Sequence, residues 1–101
     1  MIIIHASFTI DPDRREDALE SLEDLVAASQ REAGTIEYRA ATDVSDPNVV
    51  RVFERYEDEA ALEAHSQSDH FEEFAGALPE LLAGEPTVTR FDVDSSTELD
   101  L

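Results

Sequence analysis

Apolar and polar residues alternate with a period of two over residues 2–10, IIIHASFTI. Ile2, Ile4, Ala6, Phe8 and Ile10 share one face; Ile3, His5, Ser7 and Thr9 share the other. That is a β-strand with one wholly apolar side. DPD at 11–13 ends it, and Asp11 or Asp13 can cap a helix, with Pro12 suited to the first turn and Asp13 and Glu16 spaced as a capping box. Leu19, Leu22, Leu25, Val26 and Ser29 then recur at helical spacing. Gly34 stands where a C′ glycine belongs, so the pattern predicts a helix over 13–33.

Alternation returns in TIEYRAATD (35–43) and VVRVFERYE (49–57), with the turn formers SDPN between them. The pair reads as a hairpin. Asp58 can cap a short helix through His65, with Leu62 facing inward. Ser68 can cap another, along which Phe71, Phe74, Ala75 and Leu78 share a face. Pro79 lacks an N–H, which predicts a break before a last turn, PELLA. TVTRFDV (87–93) is a fourth strand, and an acidic tail follows at 94–101. The tail is expected to be loose unless Leu99 and Leu101 dock.

The order β-α-β-β-α-β specifies an α+β, ferredoxin-like domain over 1–93, with two helices covering one face of a four-stranded antiparallel sheet. By alternation the other side carries Ile3, Val49, Phe53, Phe91 and Val93. That surface is too apolar to stay wet, and a symmetric second copy is its simplest cover, so a homodimer through the sheet faces is expected.

Charge narrows the function. There are 25 acidic residues against 7 basic ones, all Arg, for a net charge of −18. Nucleic acid and anionic membrane surfaces need clustered cations, so neither is an expected partner. The excess of acids and the absence of Lys resemble proteins of salt-in halophiles, haloarchaea in particular. In molar salt the Debye length falls to roughly 3 Å and such self-repulsion is screened. No cysteine occurs, which removes disulfides and thiolate sites. MIIIHASFTI lacks a basic n-region and a cleavage site, and no apolar run approaches the ~20 residues of a span, so the expected location is cytoplasmic.

VFERYEDEAALEAHSQSDHFEEF, residues 52–74, resembles the signature of the antibiotic biosynthesis monooxygenase (ABM) domain family. Phe53, Glu54, Tyr56, Asp58, Ala61, Leu62, His65, His70 and Phe71 follow that pattern in order. The step Glu32-Ala33-Gly34 before the second strand is also similar. The resemblance implies a dimeric α/β barrel of two ferredoxin-like subunits, and it is tight only within 52–74. Family members include cofactor-independent oxygenases of quinols and phenols, haem-degrading enzymes and a sugar-phosphate isomerase, so fold alone does not select an activity. The haem-degrading pattern of a strand-one Asn, a Trp near 65 and a late-helix His is replaced here by Ala6 and Ser7, His65 and Ala75. The isomerase pattern retains only His70, with Val26 and Phe53 at the other positions. The quinol monooxygenase branch fits best.

Such an oxygenase needs a base near working pH, a dry pocket and donors for an oxyanion. His70, in the first turn of a helix, is disfavoured as imidazolium and is the candidate base. His65 is the supporting residue, with Glu54 or a backbone carbonyl as its expected partner. Tyr38, Phe53, Tyr56, Phe71 and Phe74 are the candidate substrate-binding walls. His5 reads as structural. His65 and His70 do not have the i, i+4 spacing of a zinc helix, and three glycines make no phosphate cradle, so neither metal nor cofactor is expected. The expectation is oxidation of a small aromatic or quinol-like substrate with O2. The alternative is a non-catalytic small-molecule binding or stress-response protein. Isomerase chemistry would need a phosphate clamp from Arg39, Arg51 and Arg55 and ranks last.

Overall fold

A computed structural model describes all 101 residues. The elements are β1 (Ile2–Thr9), α1 (Arg15–Ser29), β2 (Thr35–Thr42), β3 (Val49–Tyr56), α2 (Glu59–Ser66), α3 (Asp69–Leu81) and β4 (Thr87–Asp92). The strands form one antiparallel sheet in the order β2-β3-β1-β4. This is the ferredoxin-like architecture that the element order specifies.

Register decides which residues meet. Ile2, Ile4, Ala6 and Phe8 of β1 lie opposite Tyr56, Glu54, Val52 and Val50 of β3. All eight are buried beneath the helices. Their intervening neighbours occupy the uncovered face, where His5 lies between Phe53 and Thr89, and Ile3 between Arg55 and Phe91. A side-chain period of two produces this division directly.

The buried side separates into two clusters. The larger includes Ala6, Phe8, Leu22, Leu25, Tyr38 and Phe74, with Phe8 and Phe74 edge to face at 6.0 Å. The smaller comprises Ile2, Ile4 and Tyr56, with Ala61 and Leu62 against it. Each Leu or Phe so buried contributes roughly 1.5–3 kcal/mol relative to exposure.

Two expectations about the helices are corrected. Asp11 caps a short 3-10 turn at Pro12–Arg14 through the Asp13 N–H, and α1 ends at Ser29 rather than 33. The N–H groups of Arg31 and Glu32 bond to Ala28 and Ser29, tightening the chain into turns over 30–34. Gly34 has no positive φ, so it is not a left-handed cap. Its need is space: a Cβ there would overlap that of Ala61 on α2.

Pro79 does not break α3, which runs to Leu81. The carbonyl it leaves without a donor belongs to Ala75, and both residues are exposed, so water can replace the missing bond. After α3 the chain returns to the sheet, where Ile10 bridges Leu82 and the Ala83 N–H donates to Thr9. Leu99 and Leu101 are exposed. No helix is long and apolar enough to cross a membrane.

Candidate active site

The site is assembled at the junction of α2, α3 and the turn after α1. Asp58 caps α2 by accepting the Ala61 N–H at 2.9 Å, which places His65 in the last turn. Ser68 then joins the two helices. Its hydroxyl donates to the His65 carbonyl at 2.6 Å and accepts the Phe71 N–H at 3.2 Å. One side chain therefore satisfies a loose end of each helix and sets His65 relative to His70.

Both histidines converge on Glu32, which the tight turns over 30–34 bring inward. His65 Nδ1 lies 3.0 Å from Glu32 Oε1, and His70 Nε2 lies 2.7 Å from Oε2. Thr35 Oγ1 donates to the same carboxylate at 2.8 Å. An ionised carboxylate only accepts, so each imidazole holds its hydrogen on the nitrogen facing Glu32. His65 is 2 % exposed and packs among the rings of Tyr38, Tyr56 and Phe71 at 5.1–5.5 Å. Its other nitrogen, Nε2, is buried with no hydrogen-bond partner. Burial lowers the His65 pKa against the pull of Glu32, keeping the ring neutral.

His65 lines a cavity of about 290 Å³ that lies where the two core clusters meet, between Ile4 of one and Ala6, Phe8 and Leu25 of the other. Its wall is mostly apolar, including Val52, Leu62, Phe71, Phe74 and Leu78, with Tyr38, Glu54 and His65 as convergent polar residues. Exposed Ser66, Ala75, Pro86 and Val88 mark its open side. A groove of about 370 Å³ between α1 and β2 is larger but contains no histidine.

Glu54 is 7 % exposed and accepts the Tyr56 hydroxyl at 2.6 Å. Burial pushes its pKa up to about 7, despite the opposing effect of that hydrogen bond. Burial likewise raises both tyrosines, with Glu54 adding to the effect, so Tyr38 and Tyr56 remain protonated donors.

The sequence candidates separate accordingly. Tyr38, His65, Phe71 and Phe74 line the cavity. Tyr56 is fully buried behind Glu54. Phe53 belongs to the opposite face of the sheet, paired with His5 and Arg39, because it is one residue out of phase with Glu54. His70 is absent from the cavity wall; it borders a cleft of about 140 Å³ with Asp24 and Glu73. His65 bonds Glu32 rather than Glu54. Glu32 had no distinguishing signal in the sequence beyond its place in the Glu-Ala-Gly step. Glu32, His65 and His70 together present ligand atoms within 4.8 Å of one another, a set capable of holding a metal ion.

A family model for antibiotic biosynthesis monooxygenase matches residues 1–77. "Putative monooxygenase YcnE" of Bacillus subtilis is 31% identical over 93 residues, covering 92% of this chain and 98% of its own. The crystal structure of PA3566 from Pseudomonas aeruginosa superposes with a TM-score of 0.85 at 29% identity, covering 93% of this chain and 94% of that one. Rv0793 from Mycobacterium tuberculosis shares the fold, with a TM-score of 0.90 at 24% identity over 96% and 98% of the two chains. By the family match over 1–77 and the 31% identical relative, the chain belongs to the antibiotic biosynthesis monooxygenase family.

Proposed function

We propose that this protein oxidises a small aromatic, quinol-like substrate with O2 and without a cofactor, and that His65 is the base. One observation carries the assignment: a buried Nε2 without a partner, on a histidine that lines the cavity and whose Nδ1 is held by Glu32. This is the arrangement that keeps an imidazole lone pair available and stabilises the imidazolium once formed. His70 spends its Nε2 on Glu32 outside the cavity, so its role becomes that of a positioning residue.

A flat phenol fits between Phe71, Phe74 and the aliphatic wall, where a dry environment favours charge transfer over solvation. Its hydroxyl proton passes to Nε2, and the electron-rich anion can then reduce oxygen. In the net reaction the ring gains one oxygen atom and loses two hydrogens, and the second oxygen leaves as water. Near neutral pH Glu54 retains much of its proton, which limits repulsion of the anion and leaves a donor facing it.

The uncovered sheet face supports self-association. Phe53 and Phe91 are 36% and 49% exposed there, close to Ile3 and His5. A second copy packed sheet to sheet would bury them. Light scattering on the eluting protein tests this: a mass of one chain rejects it.

Oxygen uptake by metal-stripped protein in multimolar KCl, over a panel of quinols and electron-rich phenols, tests the activity. Saturable uptake above autoxidation that His65→Ala abolishes supports the reading. Uptake equal to the blank, with saturable binding of the same phenols, replaces it with the non-catalytic binding role.

A further inference from the structure

Glu32 is 17% exposed and pairs with no arginine; its only charged or chargeable partners are the two histidines. Burial keeps His65 neutral. The cluster thus places a carboxylate beside imidazole nitrogens, in a chain whose net charge of −18 raises the local concentration of cations.

The geometry suits a particular kind of ion. Oε1 is 3.0 Å from His65 Nδ1, Oε2 is 2.7 Å from His70 Nε2, and the ligand atoms all lie within 4.8 Å. A tetrahedral ion with bonds of about 2.0–2.1 Å spaces its ligands about 3.3 Å apart. To reach that spacing the ligand atoms would approach one another by at most about 1.5 Å. His70 is 28% exposed at its side chain, which leaves an approach from solvent and room for water as a further ligand. Two imidazoles and one carboxylate favour a borderline transition metal over Mg2+ or Ca2+, which prefer oxygen.

We propose that Glu32, His65 and His70 form a binding site for one divalent transition-metal ion such as Zn2+, Ni2+ or Co2+. Binding does not rest on the catalytic reading, but it bears on it. Coordination through His65 Nδ1 moves the ring hydrogen to Nε2, with no net loss of a proton. The cavity-lining nitrogen then changes from acceptor to donor, so the ion silences the base. The site is a switch on the histidine rather than a cofactor of the reaction.

Calorimetric titration of Zn2+ into EDTA-stripped protein tests binding, with Co2+ absorption reporting ligand geometry. One ion per chain with a micromolar or tighter Kd is expected, weakened by roughly tenfold or more in His70→Ala and Glu32→Gln. His5→Ala, on the opposite sheet face, should bind as the wild type does, and millimolar Mg2+ should not compete. Circular dichroism checks that each variant is folded; His70→Ala, at a half-buried position, guards against misfolding of the Glu32 variant. Binding that survives His70→Ala in folded protein, or that Mg2+ displaces, would locate the ion on the acidic surface and overturn the proposal. Absence of binding below millimolar Zn2+ would also overturn it. Nitrogen-15 spectra of the imidazoles should show His65 hydrogen on Nδ1 before Zn2+ and on Nε2 after it, whether or not any substrate is turned over.

Discussion

His65 Nδ1 lies 3.0 Å from Glu32 Oε1, although the residues are 33 apart in the chain. The contact joins the turn after α1 to the end of α2 and determines which imidazole nitrogen is free. Glu32→Gln keeps the side-chain shape but removes the charge that stabilises an imidazolium. Turnover should fall by about 100-fold or more, chiefly in kcat, while phenol binding changes little. Glu32→Ala should also lower stability by roughly 1–3 kcal/mol, because buried donors lose their acceptor. Steady-state oxygen uptake and urea unfolding measure the two effects separately.

Glu54 should give stability a distinctive pH dependence. Its folded pKa of about 7 exceeds the ordinary value of 4.5. The folded state therefore holds this proton more tightly, and the associated stability is full below pH 4.5 and is lost as pH rises through 7. The size is at most about 3 kcal/mol. Glu54→Gln should track the wild type at pH 4 and exceed it increasingly up to pH 8. Parallel curves for the two proteins in urea unfolding would contradict the assignment. His65 acts in the other direction, since its lowered pKa costs stability as pH falls through its ordinary value of 6.5.

Gly34→Ala should destabilise the fold by roughly 1–3 kcal/mol, since its new methyl meets Ala61. Ala61→Gly in the same chain should recover much of that loss. A double-mutant cycle in thermal unfolding gives the coupling, and strict additivity would show that Gly34 is required for another reason.

Salt should stabilise this protein. The acids are spread along the whole chain, and repulsion among them is strongest when screening is weak. The midpoint of unfolding should rise between dilute buffer and multimolar KCl. Equal midpoints would show that the charge is compensated within the fold.

The fold was legible because period-two alternation, turn formers and caps agree at each step. Asp58 and Ser68 cap helices as their positions indicate. The end of α1 departs from the sequence pattern because a glycine needed for close approach to Ala61 resembles a glycine needed for backbone conformation. Pro79 leaves α3 unbroken because Ala75 is exposed, a tertiary property that local sequence does not carry. Glu32 was not legible: one acid among 25 has no contrast, and its importance arises only when two helices converge on it. Local helix position singles out His70, whereas contact with the cavity depends on how α2 and α3 pack over the sheet and falls to His65.

The alternation along β3 has a practical consequence. Val50, Val52, Glu54 and Tyr56 belong to one environment and Val49, Arg51, Phe53 and Arg55 to another, yet every residue in the series adjoins one of the opposite kind. Val52 and Glu54 can be redesigned to reshape the cavity while the odd positions of the uncovered face are left unchanged, so the two surfaces can be altered independently on a single strand. The same economy makes length inviolable. Deleting one residue within β3 would send Phe53 inward and Glu54 outward, exchanging the two surfaces in one step.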